Sequence, residues 1–306
     1  MKRVIVTGAN GFIGSSLIKK LVDKRISVVA IDISFASDCL PKTPLITRIE
    51  SSVDLNLLEF LPEEEYDAFY HLAWRGVNGE DKADPKVQLA NIQMGVDCAN
   101  ICKQLQIKKY LSAGSVAENA TYSLPYLSKT SGGMMYGVAK HACRLILDDY
   151  CKNIGQQFVW MQFSNIYGVG NRTGNLVNYI LGELMAGKEA YFGPAMQPYD
   201  FIYVDDLIEA IYRLGKLDTT KTFYYIGSGQ PRLLRDYLLK IEELVGVKDK
   251  IIIGGRHDDG IKYSMNMFDT TDLLATIGNY ITVDFETGIH NTINWLKIVN
   301  SNGSKV

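Results

Sequence analysis

In the first half of the chain, apolar residues come as short unbroken runs, "RVIVTG", "SVVAID", "DAFYHLA" and "KKYLSAGS", with "FVWMQFSNIYG" following later. A strand covered on both faces reads this way, because neither of its sides meets water. Between or after the runs, helical periodicity predicts helices over 15–24, 86–106 and 134–153. Strand and helix in alternation predict an α/β fold, a doubly wound parallel sheet with helices on both faces.

After about residue 170 the texture changes. "NRTGN", "YFGPAMQPYD" and "GSGQPR" are rich in loop formers, with helical segments over 175–186, 205–214, 231–245 and 286–298. The expected division is a first domain over 1–170 and a smaller α+β domain over 171–306, partly interleaved with it. Its 306 residues suffice for a large core.

Charge changes the picture only by exclusion. A net charge of -2 gives no reason to expect nucleic acid or an anionic membrane as partner. The opening "MKRVIVTGAN" has too short an apolar run for a secretion signal, and no segment approaches the roughly 20 apolar residues of a membrane helix. Five cysteines, with no C-x-x-C pair, indicate neither a disulfide framework nor a metal site. A reduced, cytoplasmic protein is the expectation.

Two stretches carry candidate chemistry. In "VIVTGANGFIGSSL", Gly8, Gly11 and Gly14 lie between the first strand and the first helix. Glycines there permit a tight turn and let backbone N–H groups approach a pyrophosphate at the helix N-terminus. The second strand ends at Asp32, eighteen residues beyond Gly14, where a carboxylate can bind both adenosine ribose hydroxyls. "DISFAS" has no basic residue to receive a 2′-phosphate, so NAD is favoured, with NADP the alternative.

In "GGMMYGVAKHACR", Tyr136 and Lys140 are four residues apart and share a helical face. Such pairs also occur by chance on wet helices. Read functionally, the ammonium stabilises a phenolate, so that Tyr136 can exchange a proton with a sugar hydroxyl.

With these motifs in order, the chain resembles the nucleotide-sugar epimerase/dehydratase branch of the extended short-chain dehydrogenase/reductases. The resemblance rests on "TGANGFIG", "HLAW", "YGVAK", "NIYG", "YDFIYVDDLIEAI" and "YYIGSGQ", spread over nearly the whole length. It implies a Rossmann-type first domain that binds NAD and a C-terminal part that binds a nucleotide-diphosphate sugar. Gly8, Asn10, Gly11, Phe12, Ile13 and Gly14 would line the cofactor, with Asp32, Asp54, Leu72, Ala73, Tyr136 and Lys140. Asn91 matches the family's helix asparagine, whereas Met94 stands where a glycine is usual. His71 reads as a structural histidine at a strand end.

The family's third catalytic residue is a Ser or Thr ending the fifth strand. Aligned on the Gly-Ser-x-Ala-Glu pattern of some deoxysugar ketoreductases, such as the CDP-abequose type, "GSVAE" makes Ser115 that residue, with Ser112 the alternative. The resemblance puts carboxylates of dehydratases and decarboxylases at positions that hold Val116 and Ala117 here. Single-carbon oxidation–reduction, at C4, therefore remains. A 4-epimerase with retained NAD is the leading expectation, and a 4-ketoreductase the alternative. A non-catalytic NAD-binding regulator is a third reading.

For substrate, the resemblance points to Ser115, Asn165, Arg172, Tyr199 and Arg256. Tyr199 replaces an arginine usual before "DFIYVDD", and Arg144 replaces a glutamate after the Tyr/Lys helix motif, without expected consequence. Asp205 and Asp206 read as helix N-caps. Relatives dimerise through helices equivalent to 86–106 and 134–153, so a homodimer is expected.

Overall fold

A computed structural model describes residues 1–37, 39–131 and 133–301. Gly132, the first of the two glycines before Tyr136, lies outside them.

The first half runs β1 (Arg3–Thr7), α1 (Phe12–Asp23), β2 (Ser27–Asp32), β3 (Ile46–Glu50), β4 (Ala68–His71), α2 (Pro85–Gln104), β5 (Lys109–Ser115), α3 (Gly133–Ile154) and β6 (Gln157–Phe163). The second half runs β7 (Asn165–Tyr167), α4 (Leu176–Met185), β8 (Ala190–Phe192), β9 (Pro198–Tyr199), β10 (Phe201–Tyr203), α5 (Val204–Lys216) and β11 (Phe223–Ile226). It ends with β12 (Arg232–Leu233), α6 (Leu234–Val245), β13 (Ile251–Ile253), α7 (Thr271–Ile277) and α8 (Phe285–Ser301).

Seven parallel strands form the main sheet in the order β11-β6-β5-β4-β1-β2-β3. The unbroken apolar runs have a direct cause in the pleat. Val4 and Val6 of β1 enter the core shared with Leu17, Ile18 and Leu21 of α1 and Leu207 and Ile211 of α5. Ile5, between them, enters the opposite core with Cys98 and Cys102 of α2 and Cys143 and Leu147 of α3. Successive side chains alternate faces, and both faces are dry. Four of the five cysteines are thus free, buried packing residues, and only Cys39 is exposed.

The structure departs from the sequence reading in four places. "FVWMQFSNIYG" is two strands, interrupted at Ser164, whose hydroxyl donates to the Asp200 carbonyl at 2.6 Å. β3 and β11, neither among the expected strands, extend the sheet on its two edges. The helix expected from 231 begins at Leu234, because Arg232 and Leu233 pair with Tyr199 and Pro198. Neither Asp205 nor Asp206 is the cap: Tyr203 holds the N-cap position of α5, both aspartates lie in its first turn, and buried Asp206 accepts from the Thr282 N–H and hydroxyl and the Val283 N–H.

Among the described residues, no helix is long and apolar enough to cross a membrane, and no cluster of three or more His, Cys, Asp or Glu could hold a metal ion.

Candidate active site

The glycine turn joins β1 to α1 against the end of β4. Gly8 has φ +67, and a β-carbon there would lie 2.7 Å from the Ala73 nitrogen. The turn can therefore press against Leu72 and Ala73 only as glycine. Leu72 N–H donates to the Thr7 carbonyl, and Ala73 N–H approaches the Thr7 hydroxyl at 3.4 Å. Gly11 begins α1 with no side-chain cap and no acidic residue in the first turn, so N–H groups and the positive helix end remain for a phosphate. Phe12 and Ile13 open that helix half-buried against the core.

Asp32 ends β2 beside this turn. Its two oxygens accept from Asn10 N–H (2.9 Å) and Ile33 N–H (2.8 Å), which orients the carboxylate and leaves further lone pairs for ribose hydroxyls. Asn10 in turn donates to the Ser34 carbonyl. These residues fit a dinucleotide. Asp54 sits after β3, where it caps a short 3-10 segment by accepting from Asn56 N–H and the Ser52 hydroxyl.

His71 is fully buried, bonded to the Thr7 hydroxyl at 2.8 Å. Burial, assisted by the Lys140 charge, lowers its pKa to about 3, so the ring is neutral. Asn91 clamps the chain after β4 by accepting from Arg75 N–H and donating to its carbonyl, both at 2.8 Å. One residue beyond Met94, Gly95 packs closely against Cys143 and Leu147 of α3.

Ser115 and Tyr136 meet where β5 ends. Ser115 N-caps the 3-10 segment 116–126, accepting from Ala117 N–H. Gly137 of α3 lies so close to the Ala117 carbonyl that a β-carbon would be 2.4 Å from it. That approach sets Tyr136 beside Ser115, whose side chain lowers the pKa of the phenol. Ser112 instead lies buried within β5, between His71 of β4 and Trp160 of β6 in register.

The Lys140 ammonium donates to the Ala113 carbonyl at 2.6 Å and stands 6.0 Å from the centre of the Tyr136 ring. Here the electrostatics correct the simplest expectation. Burial pushes the Tyr136 phenol up to about 12, although the Ser115 hydrogen bond pulls it down and Glu118 adds to the rise. Burial lowers Lys140 to about 7, against the raising effect of Cys143 and Glu118. Desolvation is the largest influence on both groups, and the chain alone holds Tyr136 as a proton donor.

Three neighbours of this centre escaped the sequence reading. The Trp74 indole lies 3.6 Å from the Lys140 nitrogen and edge-on to Tyr136. Lys82 places its ammonium 5.3 Å from the Tyr136 ring centre. Glu118, fully buried, accepts from Ser115 N–H (2.7 Å), the Trp160 indole and Gln162, and pairs with Arg144 at 3.5 Å. Arg144 is therefore the counter-charge of a buried carboxylate. Trp74 and Glu118 close the quoted "HLAW" and "GSVAE", but nothing local says what either would touch.

The candidate substrate residues form two groups. Asn165 donates to the Asp200 carbonyl (3.0 Å), next to Tyr199, whose ring packs 5.0 Å from Phe201 and whose phenol is raised by burial and by Tyr263 and Asp259. Arg256 lies over the Tyr179 ring and donates to its hydroxyl at 2.9 Å. Arg172 and Tyr179 line one groove between α4 and α8.

The chain is 25% identical to dTDP-4-dehydro-6-deoxyglucose reductase of Escherichia coli, over 95% of this chain and 96% of that protein. It is 22% identical to a putative UDP-glucose 4-epimerase of Methanocaldococcus jannaschii, over 96% and 98%. Among solved structures, UDP-glucose 4-epimerase of Thermotoga maritima with UDP-glucose superposes with a TM-score of 0.79 at 19% identity, over 97% and 99% of the two chains. The profile of the NAD dependent epimerase/dehydratase family matches residues 4–227, and the chain belongs to that family.

Proposed function

We propose that the protein catalyses oxidation–reduction at one carbinol carbon, C4, of a nucleotide-activated sugar, as a nucleotide-sugar 4-epimerase. The observation that carries this reading is the meeting of Ser115, Tyr136 and Lys140 at the end of β5, beside a turn that fits NAD. A nicotinamide bound beside this centre would supply hydride-transfer chemistry at the carbinol carbon. Tyr136 takes the hydroxyl proton on oxidation and gives it back on reduction. Ser115 donates a hydrogen bond to the same oxygen and keeps it against Tyr136. Lys140, charged below about pH 7, would stabilise the phenolate and hold the ribose of a bound cofactor. No carboxylate occupies positions 116 or 117, and Glu118 is engaged with β6 and Arg144, so elimination of water lacks an acid–base pair.

Asn165, Tyr199, Arg172 and Arg256 are assigned to the substrate side, with the two arginines serving the diphosphate. Exposed Leu89 on α2 and Leu145 and Ile146 on α3 suit a homodimer through those helices, which sedimentation of the purified protein would test.

A 4-ketoreductase is the second reading, favoured by the full-length likeness to the E. coli reductase. Mass spectrometry of nicotinamide released by denaturing freshly purified protein separates the two. Stoichiometric NAD, followed by interconversion of a sugar-nucleotide pair, supports the epimerase. An empty site that binds reduced cofactor reversibly and turns over a 4-keto sugar supports the reductase. Absence of turnover on both substrate classes, with no thermal stabilisation by any nucleoside diphosphate, would defeat both.

A further inference from the structure

The chain between β4 and α2 is held against α2 by two buried polar side chains. Gln88 donates to the carbonyls of Gly76 and Asp81, both at 3.1 Å, and accepts from the Trp74 indole at 3.0 Å. Asn91 fastens both polar groups of Arg75. Residues 74–82 are thereby presented to α3 as a defined surface. Lys82 comes from this surface and reaches across to Tyr136, its ammonium also lying against Gly133 at the start of α3.

Two neighbouring carboxylates are committed elsewhere. Asp81 pairs with Arg75, and Asp84 caps α2 through the Lys86 N–H. Among the described residues, none lies within ion-pair distance of Lys82. The groups facing Tyr136 are Lys140 from its own helix, Lys82 from the β4–α2 connection, Ser115 from β5, and Glu118 from the 3-10 segment, with the Trp74 edge beside the ring. Lys140 turns its ammonium to the Ala113 carbonyl and toward Trp74, which leaves Lys82 as the nearer cation to the phenol ring.

We propose that Lys82 is an electrostatic positioning residue of the proton-transfer centre, whose ammonium stabilises the Tyr136 phenolate against the charge of Glu118. A cation over an aromatic face is attracted to the neutral ring and more strongly to a ring that carries phenolate charge. Placed about 5–6 Å away in a part-desolvated site, it shifts the ionisation of its partner by roughly one to two pH units. The centre then has two amines of different duty: Lys140, bound to the β5 backbone, and Lys82, whose ammonium faces the Tyr136 ring although burial lowers its pKa. The proposal rests on Tyr136 as the proton carrier.

The test reads that ionisation without a substrate. Protein carrying carbon-13 at the tyrosine ζ position, saturated with NAD, is titrated from about pH 6 to about pH 12, and the Tyr136 resonance is assigned by its loss in Tyr136→Phe. Lys82→Met is expected to move Tyr136 ionisation upward by about one pH unit or more, and Lys82→Arg to restore it. Lys82→Gln provides the same reading should Lys82→Met fold poorly. Unchanged ionisation in the neutral variant, or failure of arginine to restore it, overturns the proposal. A shift in a protein that turns over no sugar would defeat the functional reading alone, whereas turnover without a shift would defeat only the role of Lys82.

Discussion

The Trp74 indole lies flat enough to Lys140 to put the ammonium 3.6 Å from its ring centre, while the same ammonium donates to the Ala113 carbonyl. The contact substitutes a π-face for the water that Lys140 has lost. Below about pH 7 the folded lysine is charged and feels it; well above, the amine is neutral and does not. A desolvated cation–π contact is worth about 2 kcal/mol. Trp74→Leu should therefore cost about 1–2 kcal/mol more at pH 6 than at pH 9, measured by urea unfolding at both. Equal costs would mean that the indole only packs.

Tyr136→Phe keeps the ring and removes the proton. Turnover should fall by about 10²–10⁴-fold while NAD remains bound and thermal stability stays near wild type. Removing the hydrogen bond of Ser115 by Ser115→Ala should cost about 10²-fold or more. Ser112→Ala, at a buried strand position, should leave turnover within about threefold. A larger loss at Ser112 would reverse the assignment of the serines.

His71 links stability to acid. Its pKa is near 6.5 when unfolded and about 3 when folded, so between these values the unfolded chain binds a proton that the native chain does not. Stability therefore falls as pH drops from 6.5 toward 3, by about 2–3 kcal/mol at pH 4.5 from this group alone. His71→Asn should lower stability at pH 7, through loss of the Thr7 partner, yet flatten the acid limb of a denaturant series.

Glu118→Gln leaves Arg144 without its counter-charge and weakens the hold on Ser115 N–H. Because Arg144 is partly solvated, the expected cost is about 1–3 kcal/mol, below that of a fully buried broken pair. Adding Arg144→Gln should recover part of it in a double-mutant cycle. Full additivity of the two substitutions would show that the pair does not interact.

Much of this molecule is legible in one dimension because its determinants are local. Strand β1, the glycine turn, helix α1 and Asp32 follow from spacing within 32 residues, and Tyr136 and Lys140 meet Ser115 because helix periodicity places them on one face. Edge strand β3 was less visible, since its pairing with β2 supplies what its own apolar pattern lacks, and β11 joins the sheet only through its pairing with distant β6. Ionisation was not legible at all: the Tyr136–Lys140 pattern suggests mutual charge stabilisation, but the burial created by the whole fold raises one and lowers the other. The same holds for Trp74 on Lys140, Lys82 on Tyr136 and Arg144 against Glu118. Each joins segments that only the packed sheet and its helices bring together, and each depends on how much water that packing removes, a property of the assembled neighbourhood and of no single stretch of chain.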